Sequence, residues 1–267
     1  MVTTEAAHDV TTSTLAFGEP APRAEGAPGT PITVVHGFAQ NRHCLGPLLD
    51  ALVAVGPVRA VDAPGHGGSA VHATADLWRG AELLAATGRR GALVGYSMGA
   101  RLSLHTALRC PEQVTSLVLI GGTAGIDDDA ERRARRASDE ELARRLERDG
   151  LERFVEDWLA LPLFAGLPAW ARFDEQRRSN TVEGLAASLR AAGTGSMEPL
   201  WASLGEIRCP VLCVTGALDE RYGLLAERIV AGVGGPAEHV VIDDAGHAAH
   251  LEQPEATASA VTAFLRS

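Results

Sequence analysis

The 267-residue chain contains no lysine; all 24 of its basic residues are arginine. That absence excludes several chemistries. Schiff-base catalysis through a lysine amine is ruled out, whether on a pyridoxal cofactor or in an aldolase. A phosphate-binding loop ending in Gly-Lys-Ser/Thr, a kinase strand lysine and a Ser–Lys dyad are ruled out with it. Arginine in place of lysine, together with 29 glycines and abundant alanine, is what a GC-rich coding sequence produces. The bias still constrains function, because every fixed positive charge in a binding site must be arginine or histidine.

Long apolar runs are also missing. None approaches the roughly 18 residues that span a bilayer, so no membrane partner is expected. Residues 1–18 lack a basic start followed by an apolar core, which argues against a secretory signal. There is no basic tail. Acidic residues outnumber basic ones 34 to 24, for a net charge of −10, which argues against a nucleic-acid partner. Cysteines are few: Cys44, Cys110, Cys209 and Cys213. Cys209 and Cys213 flank an apolar strand pattern and read as core residues, so neither a metal site nor a disulfide is expected and the compartment reads as cytoplasmic. What is present, 46% hydrophobic and 22% charged residues, fits a globular α/β protein.

Short apolar runs rich in β-branched residues recur at 31–35, 58–61, 92–94, 117–120, 211–214 and 239–242, each closed by turn residues. Such runs are too short for buried helices and read as buried parallel strands. Helical periodicity separates them, over 45–55, 76–86, 98–108 and 224–233. Strand and helix alternating in this way predict a mostly parallel central sheet with helices on both faces. The alternation stops between about 124 and 205. That stretch reads as helices only, over 127–149, 151–161, 169–178, 181–192 and 197–204. The first of these carries the densest arginine run of the chain. The division expected is therefore a core of 1–123 and 206–267, with 124–205 a helical cap over the carboxyl ends of the strands, where open α/β sheets bind ligands. Residues 18–31, rich in proline, glycine and alanine, read as a loop.

Gly95-Tyr96-Ser97-Met98-Gly99 follows one strand and opens a helix, the pattern of a nucleophile elbow that exposes the Ser97 hydroxyl at a tight turn. A serine needs a base, and the base an orienting acid, in the order Ser, acid, His for this topology. His247, after the last strand, is the candidate base, with His250 the alternative. Asp219, just past the preceding strand, is the candidate acid, ahead of Glu220, Asp243 and Asp244. Oxyanion stabilisation needs two aimed N–H groups. Met98, after the serine, and Phe38, in the His36-Gly37-Phe38 turn, are the candidates, with Gly37 allowing close approach of a ligand. His66, in the turn-rich exit of the second strand, reads as a buttress.

Together these motifs resemble the α/β-hydrolase superfamily across nearly the whole chain. Within it, several segments resemble the menaquinone-pathway branch of 2-succinyl-6-hydroxy-2,4-cyclohexadiene-1-carboxylate synthases. They are the elbow continuing through Ala100-Arg101, the arginine-rich helix with Arg135, Trp158 with Pro162-Leu163-Phe164, and Arg178-Ser179-Asn180 followed by Gly184-Leu185-Ala186. The resemblance implies a cofactor-free lyase. It would take a proton from a cyclohexene bearing carboxylate, succinyl and enolpyruvyl groups and expel pyruvate, with no acyl-enzyme. It implies Arg101, Arg135 and Arg178 as clamps for a carboxylate-bearing small molecule, since bidentate arginine suits carboxylates, and Tyr96 and Trp158 as pocket walls. Arg177 stands beside Arg178. The stretch Ala39-Gln40-Asn41-Arg42-His43-Cys44 departs from the branch, which has Gly or a small polar residue and then an aromatic there. The same Ser97, His247 and Asp219 would also suit a serine carboxylic-ester or thioester hydrolase acting through an acyl-enzyme.

Overall fold

The computed structural model describes residues 14–19 and 29–267. Most of the stretches 1–18 and 18–31 therefore lies outside the described residues. Among the described residues seven strands are formed: β1 (Phe17–Gly18), β2 (Ile32–Val35), β3 (Val58–Val61), β4 (Gly91–Tyr96), β5 (Val114–Ile120), β6 (Val211–Gly216) and β7 (Ala237–Ile242). They make one sheet in the order β1-β3-β2-β4-β5-β6-β7. Every pairing is parallel except that of β1, where Phe17 opposes Val61 and Gly18 opposes Ala60 in antiparallel register. A two-residue edge strand has no periodicity to announce it, and the Arg59 guanidinium of β3 lies over the Phe17 ring at 4.1 Å.

The central strands are buried on both faces because alternate side chains enter two different cores. Leu117 and Leu119 of β5 and Val211 and Cys213 of β6 join one cluster. Val118, Ile120, Leu212 and Val214 join the other. Each such aliphatic side chain removed from water contributes about 1.5–3 kcal/mol. Before the insertion the helices are α1 (Pro47–Val53), α2 (Leu77–Thr87) and α3 (Met98–Arg109). All four cysteines are free. Among the described residues no helix is long and apolar enough to cross a membrane.

Between β5 and β6 the chain makes only helices and turns. α4 (Asp129–Leu159) starts where the Asp128 side chain accepts from Glu131 N–H at 2.8 Å. It breaks at Gly150, whose φ of 81° is left-handed and costs glycine little. α5 (Asp174–Arg178) and α6 (Val182–Ala192) follow. Two expectations need correction. The 169–178 helix is split, because Phe173 takes a left-handed φ of 52° immediately before α5. Residues 197–204 do not form a helix. Pro199 lacks an N–H and disfavours helical geometry in Glu198, and Leu200 N–H instead donates to Ala124 O at 2.7 Å. α7 (Glu220–Gly232), α8 (Ala249–Glu252) and α9 (Pro254–Arg266) complete the chain.

The insertion shares a core with the sheet's carboxyl edge. Leu146, Phe154, Val155 and Leu159 of α4 pack with Leu185 and Leu189 of α6, and with Phe38 and Ala39 of the loop after β2. Asn180 pins the two together. Its Oδ1 accepts from Gly67 N–H at 2.8 Å, and its Nδ2 donates to Gln40 O at 3.3 Å and Arg177 O at 2.9 Å.

Candidate active site

Ser97 sits between β4 and α3 at φ 52°, ψ −105°, a conformation that costs a non-glycine residue about 1–3 kcal/mol. Its neighbours explain why the turn can be so tight. A Cβ on Gly95 would lie 2.4 Å from Gly99 O, and one on Gly99 would lie 2.3 Å from Val35 O. Only glycine fits at either place, so the elbow motif records the close passage of three backbone segments.

His247 follows β7, with Nε2 3.0 Å from Ser97 Oγ and Nδ1 2.8 Å from Asp219 Oδ2. Asp219 is also the N-cap of α7, its other oxygen accepting from Tyr222 N–H at 3.4 Å. One carboxylate thus starts a helix and orients the imidazole. Glu220, Asp243 and Asp244 make no such contact. Nor does His250, which is buried against the Tyr96 ring at 4.4 Å and whose pKa burial lowers to about 3. The His247 ring lies between Tyr222 at 4.4 Å and Tyr96 at 5.5 Å.

The backbone N–H groups beside the serine are nearly all engaged. Gly37 N–H donates to Gln40 Oε1 at 2.9 Å and Ala39 N–H to His66 Nε2 at 3.2 Å. Among the described residues Phe38 N–H has no acceptor, and Met98 N–H, the first of α3, has none within its helix. Gly37 itself needs correction. It does not line the cavity. A Cβ there would lie 2.7 Å from the Tyr96 ring, so the glycine admits a tyrosine, not a ligand.

The loop that carries Phe38 is held by two buried histidines. His36 Nδ1 donates to Gly37 O at 2.7 Å and its Nε2 accepts from Ala63 N–H at 3.0 Å. His66 Nδ1 donates to Pro64 O at 3.0 Å while its Nε2 holds Ala39. Both rings must be neutral to accept. Burial lowers the pKa of His36 to about 4 and that of His66 to about 3.

The cavity over Ser97 is lined by Phe38, Tyr96, Met98, Trp158 and His247, and by Arg101, Arg135 and Arg177. The last is a correction. Arg178 is exposed and 4.0 Å from Asp174. Its neighbour Arg177 is buried, its guanidinium donating to the carbonyls of Arg172 at 2.7 Å and Ala39 at 3.3 Å. The left-handed Phe173 sets the start of α5 and so which arginine turns inward. Arg101 is likewise buried and donates to Ala192 O at 2.6 Å. Burial lowers its pKa to about 10, which leaves it charged at neutral pH. Among the described residues neither Arg101 nor Arg177 has a carboxylate partner. Arg135 does: its Nε is 2.7 Å from the buried Asp139, which also accepts from Gly195 N–H at 3.1 Å. Gln40, Thr123, Ser188 and Tyr222 also line the cavity and were not singled out from sequence. Tyr222 follows Asp219 by one helical turn, and that spacing is the signal that marks it. Asn41, in the stretch that departs from the branch, donates to Gln176 O at 2.8 Å and Ser179 Oγ at 3.0 Å, so that stretch anchors the insertion.

A strand-ordered Ser, Asp and His beneath a helical insertion is the arrangement of one large enzyme class. The chain belongs to the alpha/beta hydrolase family, whose sequence profile matches residues 34–260. Within that family it is similar to the 2-succinyl-6-hydroxy-2,4-cyclohexadiene-1-carboxylate synthase of Enterobacter sp. (strain 638), at 32% identity over 90% of this chain and 94% of that protein. A putative synthase of the same name from Bacillus subtilis (strain 168) is 39% identical over 66% of this chain, and the match spans 65% of that relative's length. Among solved structures, MenH from S. aureus superposes with a TM-score of 0.81 at 28% identity, covering 95% of this chain and 98% of that one.

Proposed function

We propose that the chain is a cofactor-free carbon–oxygen lyase of the 2-succinyl-6-hydroxy-2,4-cyclohexadiene-1-carboxylate synthase type. Its substrate is a cyclohexene bearing carboxylate, succinyl and enolpyruvyl groups. One observation carries the reading: a hydrogen-bonded Ser97–His247–Asp219 chain shares its cavity with two buried arginines, Arg101 and Arg177, that have no carboxylate partner among the described residues. Keeping a guanidinium out of water without a counter-charge is costly, and a polycarboxylate ligand removes that cost.

In this reading the Ser97–His247 pair takes a proton from a ring carbon, and Asp219 keeps the imidazole oriented. The electron pair moves onto a substrate oxygen held by the N–H groups of Phe38 and Met98. The ring C–O bond then breaks. The enolate of pyruvate leaves, takes up a proton and departs as pyruvate, and the ring is left as a cyclohexadiene. No bond to Ser97 forms. Arg101, Arg135 and Arg177 hold the carboxylates, and Tyr96 and Trp158 wall the ring. The Trp158 Nε1–H is buried with no partner among the described residues and donates to the ligand. Residues 124–205 act as the cap on a core of 1–123 and 206–267. The enzyme works in the cytoplasm on a small molecule, with no nucleic-acid or membrane partner.

The test is a parallel assay with the enolpyruvyl cyclohexene, following pyruvate release, and with a short-chain aryl ester. Pyruvate release with slow ester turnover is expected. Fast ester turnover with no pyruvate would sink the lyase reading in favour of an acyl-enzyme hydrolase.

A further inference from the structure

His247 is presented by a loop, and a loop does not by itself fix a ring to within a fraction of an ångström. From one side the loop is walled by glycines. A Cβ on Gly216 would lie 2.1 Å from Ala245 O, and one on Gly121 would lie 2.9 Å from His247 Cε1. On the other side stands Glu252, the last residue of α8. Its Oε2 accepts from Gly246 N–H at 2.7 Å and its Oε1 from Ala248 N–H at 3.0 Å. The two N–H groups belong to the residues immediately before and after His247. Glu252 N–H returns a bond to Ala248 O at 2.9 Å, so the segment closes on itself.

We propose that Glu252 is the positioning residue of this site, its carboxylate clamping the backbone on both sides of His247. A carboxylate offers an acceptor on each oxygen and no donor, so it suits two converging N–H groups. An amide of the same shape satisfies only one and turns its own N–H groups toward the other. The clamp is also touched by the insertion. A Cβ on Gly166 would lie 2.3 Å from Glu252 Oε2. The turn between Phe164 and Ala169 therefore runs so close that any side chain at 166 displaces the carboxylate. Through this contact the insertion and the base share one support.

The proposal rests on His247 acting as the base, and its test uses a readout that needs no substrate. In the full chain, Glu252→Ala is expected to lower kcat for pyruvate release roughly tenfold to a hundredfold, the usual effect of an ångström-scale misplacement. KM should change less than twofold, because Glu252 does not line the cavity. The low-field proton resonance of the His247 Nδ1–H, assigned by its loss in His247→Asn, should shift and broaden. Glu252→Gln keeps one acceptor and should fall between parent and Glu252→Ala in both measurements. It carries the test if Glu252→Ala fails to fold. Gly166→Ala keeps residue 252 a glutamate but displaces its carboxylate, should move the same resonance, and serves if neither Glu252 variant folds. An unchanged resonance and kcat in a folded variant would overturn the proposal. So would a raised KM at constant kcat, which marks a ligand contact instead. If parent and variants alike release no pyruvate, the lyase reading fails while the resonance still decides the clamp.

Discussion

Two surfaces face each other across the cavity, and they hold their chemistry in different ways. On the sheet's carboxyl edge, Ser97, Asp219 and His247 stand on short connections whose shape is imposed by backbone crowding, a helix cap and glycines. The one long side chain in that support is Glu252, which accepts from the N–H groups on either side of His247. The underside of the insertion offers guanidinium groups instead, on flexible stems whose direction is set by packing. A second contrast lies within the insertion itself. Several outward arginines are paired: Arg144 with Glu140 at 2.9 Å, Arg145 with Asp157 at 3.1 Å and Arg148 with Asp149 at 2.8 Å. The inward Arg177, and Arg101 below it, have carbonyl partners only. Where charge serves solubility it is neutralised locally. Of the arginines that line the cavity, Arg135 is paired with Asp139, while Arg101 and Arg177 have no carboxylate partner among the described residues.

The largest loss is expected at the sheet edge. His247→Ala is expected to lower kcat about 10³- to 10⁴-fold with little change in KM, followed as pyruvate release. On the opposite wall, Arg177→Ala and Arg101→Ala should each cost about 2–3 kcal/mol in kcat/KM, mostly through KM. Arg178→Ala, one residue away and exposed, should change kcat/KM less than twofold. Equal losses in Arg177→Ala and Arg178→Ala would show that α5 does not discriminate between its arginines.

A smaller effect separates the two surfaces by pH. The neutral His36 and His66 hold the Phe38 loop, with pKa values lowered to about 4 and about 3. The unfolded chain takes up these protons near pH 6.5. Between that pH and about 3 it therefore binds more protons than the folded chain, and stability falls as pH falls through this window. His66→Gln, which keeps an acceptor for Ala39 N–H, should flatten the slope by up to about 1.4 kcal/mol per pH unit, read from urea midpoints. The smallest effect belongs to the outer face. Arg144→Ala should shift stability by less than about 0.5 kcal/mol and leave kcat/KM within twofold.

The same contrast explains what could be read from the sequence. The central parallel strands were legible because double-sided burial demands continuous apolar runs, as at 117–120. The sheet-edge residues were legible because turn chemistry is local: Gly95 and Gly99 mark Ser97, and strand ends mark Asp219 and His247. The insertion was less so. Arg177 and Arg178 are indistinguishable until the left-handed Phe173 fixes the start of α5, and nothing in the composition of that segment requires it. The apolar spacing of 197–204 imitates a helix that Pro199 forbids. Gly37 looked like a site for ligand approach and proves to make room for Tyr96. Phe173 and Pro199 act within their own segments, whereas Gly37 is decided by a residue distant in sequence.

Asn180 has a consequence for engineering. One side chain bonds the loop after β2, the loop after β3 and α5 together. The insertion is therefore not an interchangeable module. Transplanting residues 124–205 onto another scaffold of this fold would leave Asn180 facing unfamiliar backbone, and a foreign insertion placed here would leave Gly67 N–H without its acceptor. A chimera that respects only the junctions at β5 and β6 misses this third seam. Designs that alter substrate range should carry Gln40, Asn41 and the glycine-rich turn after β3 along with the helices.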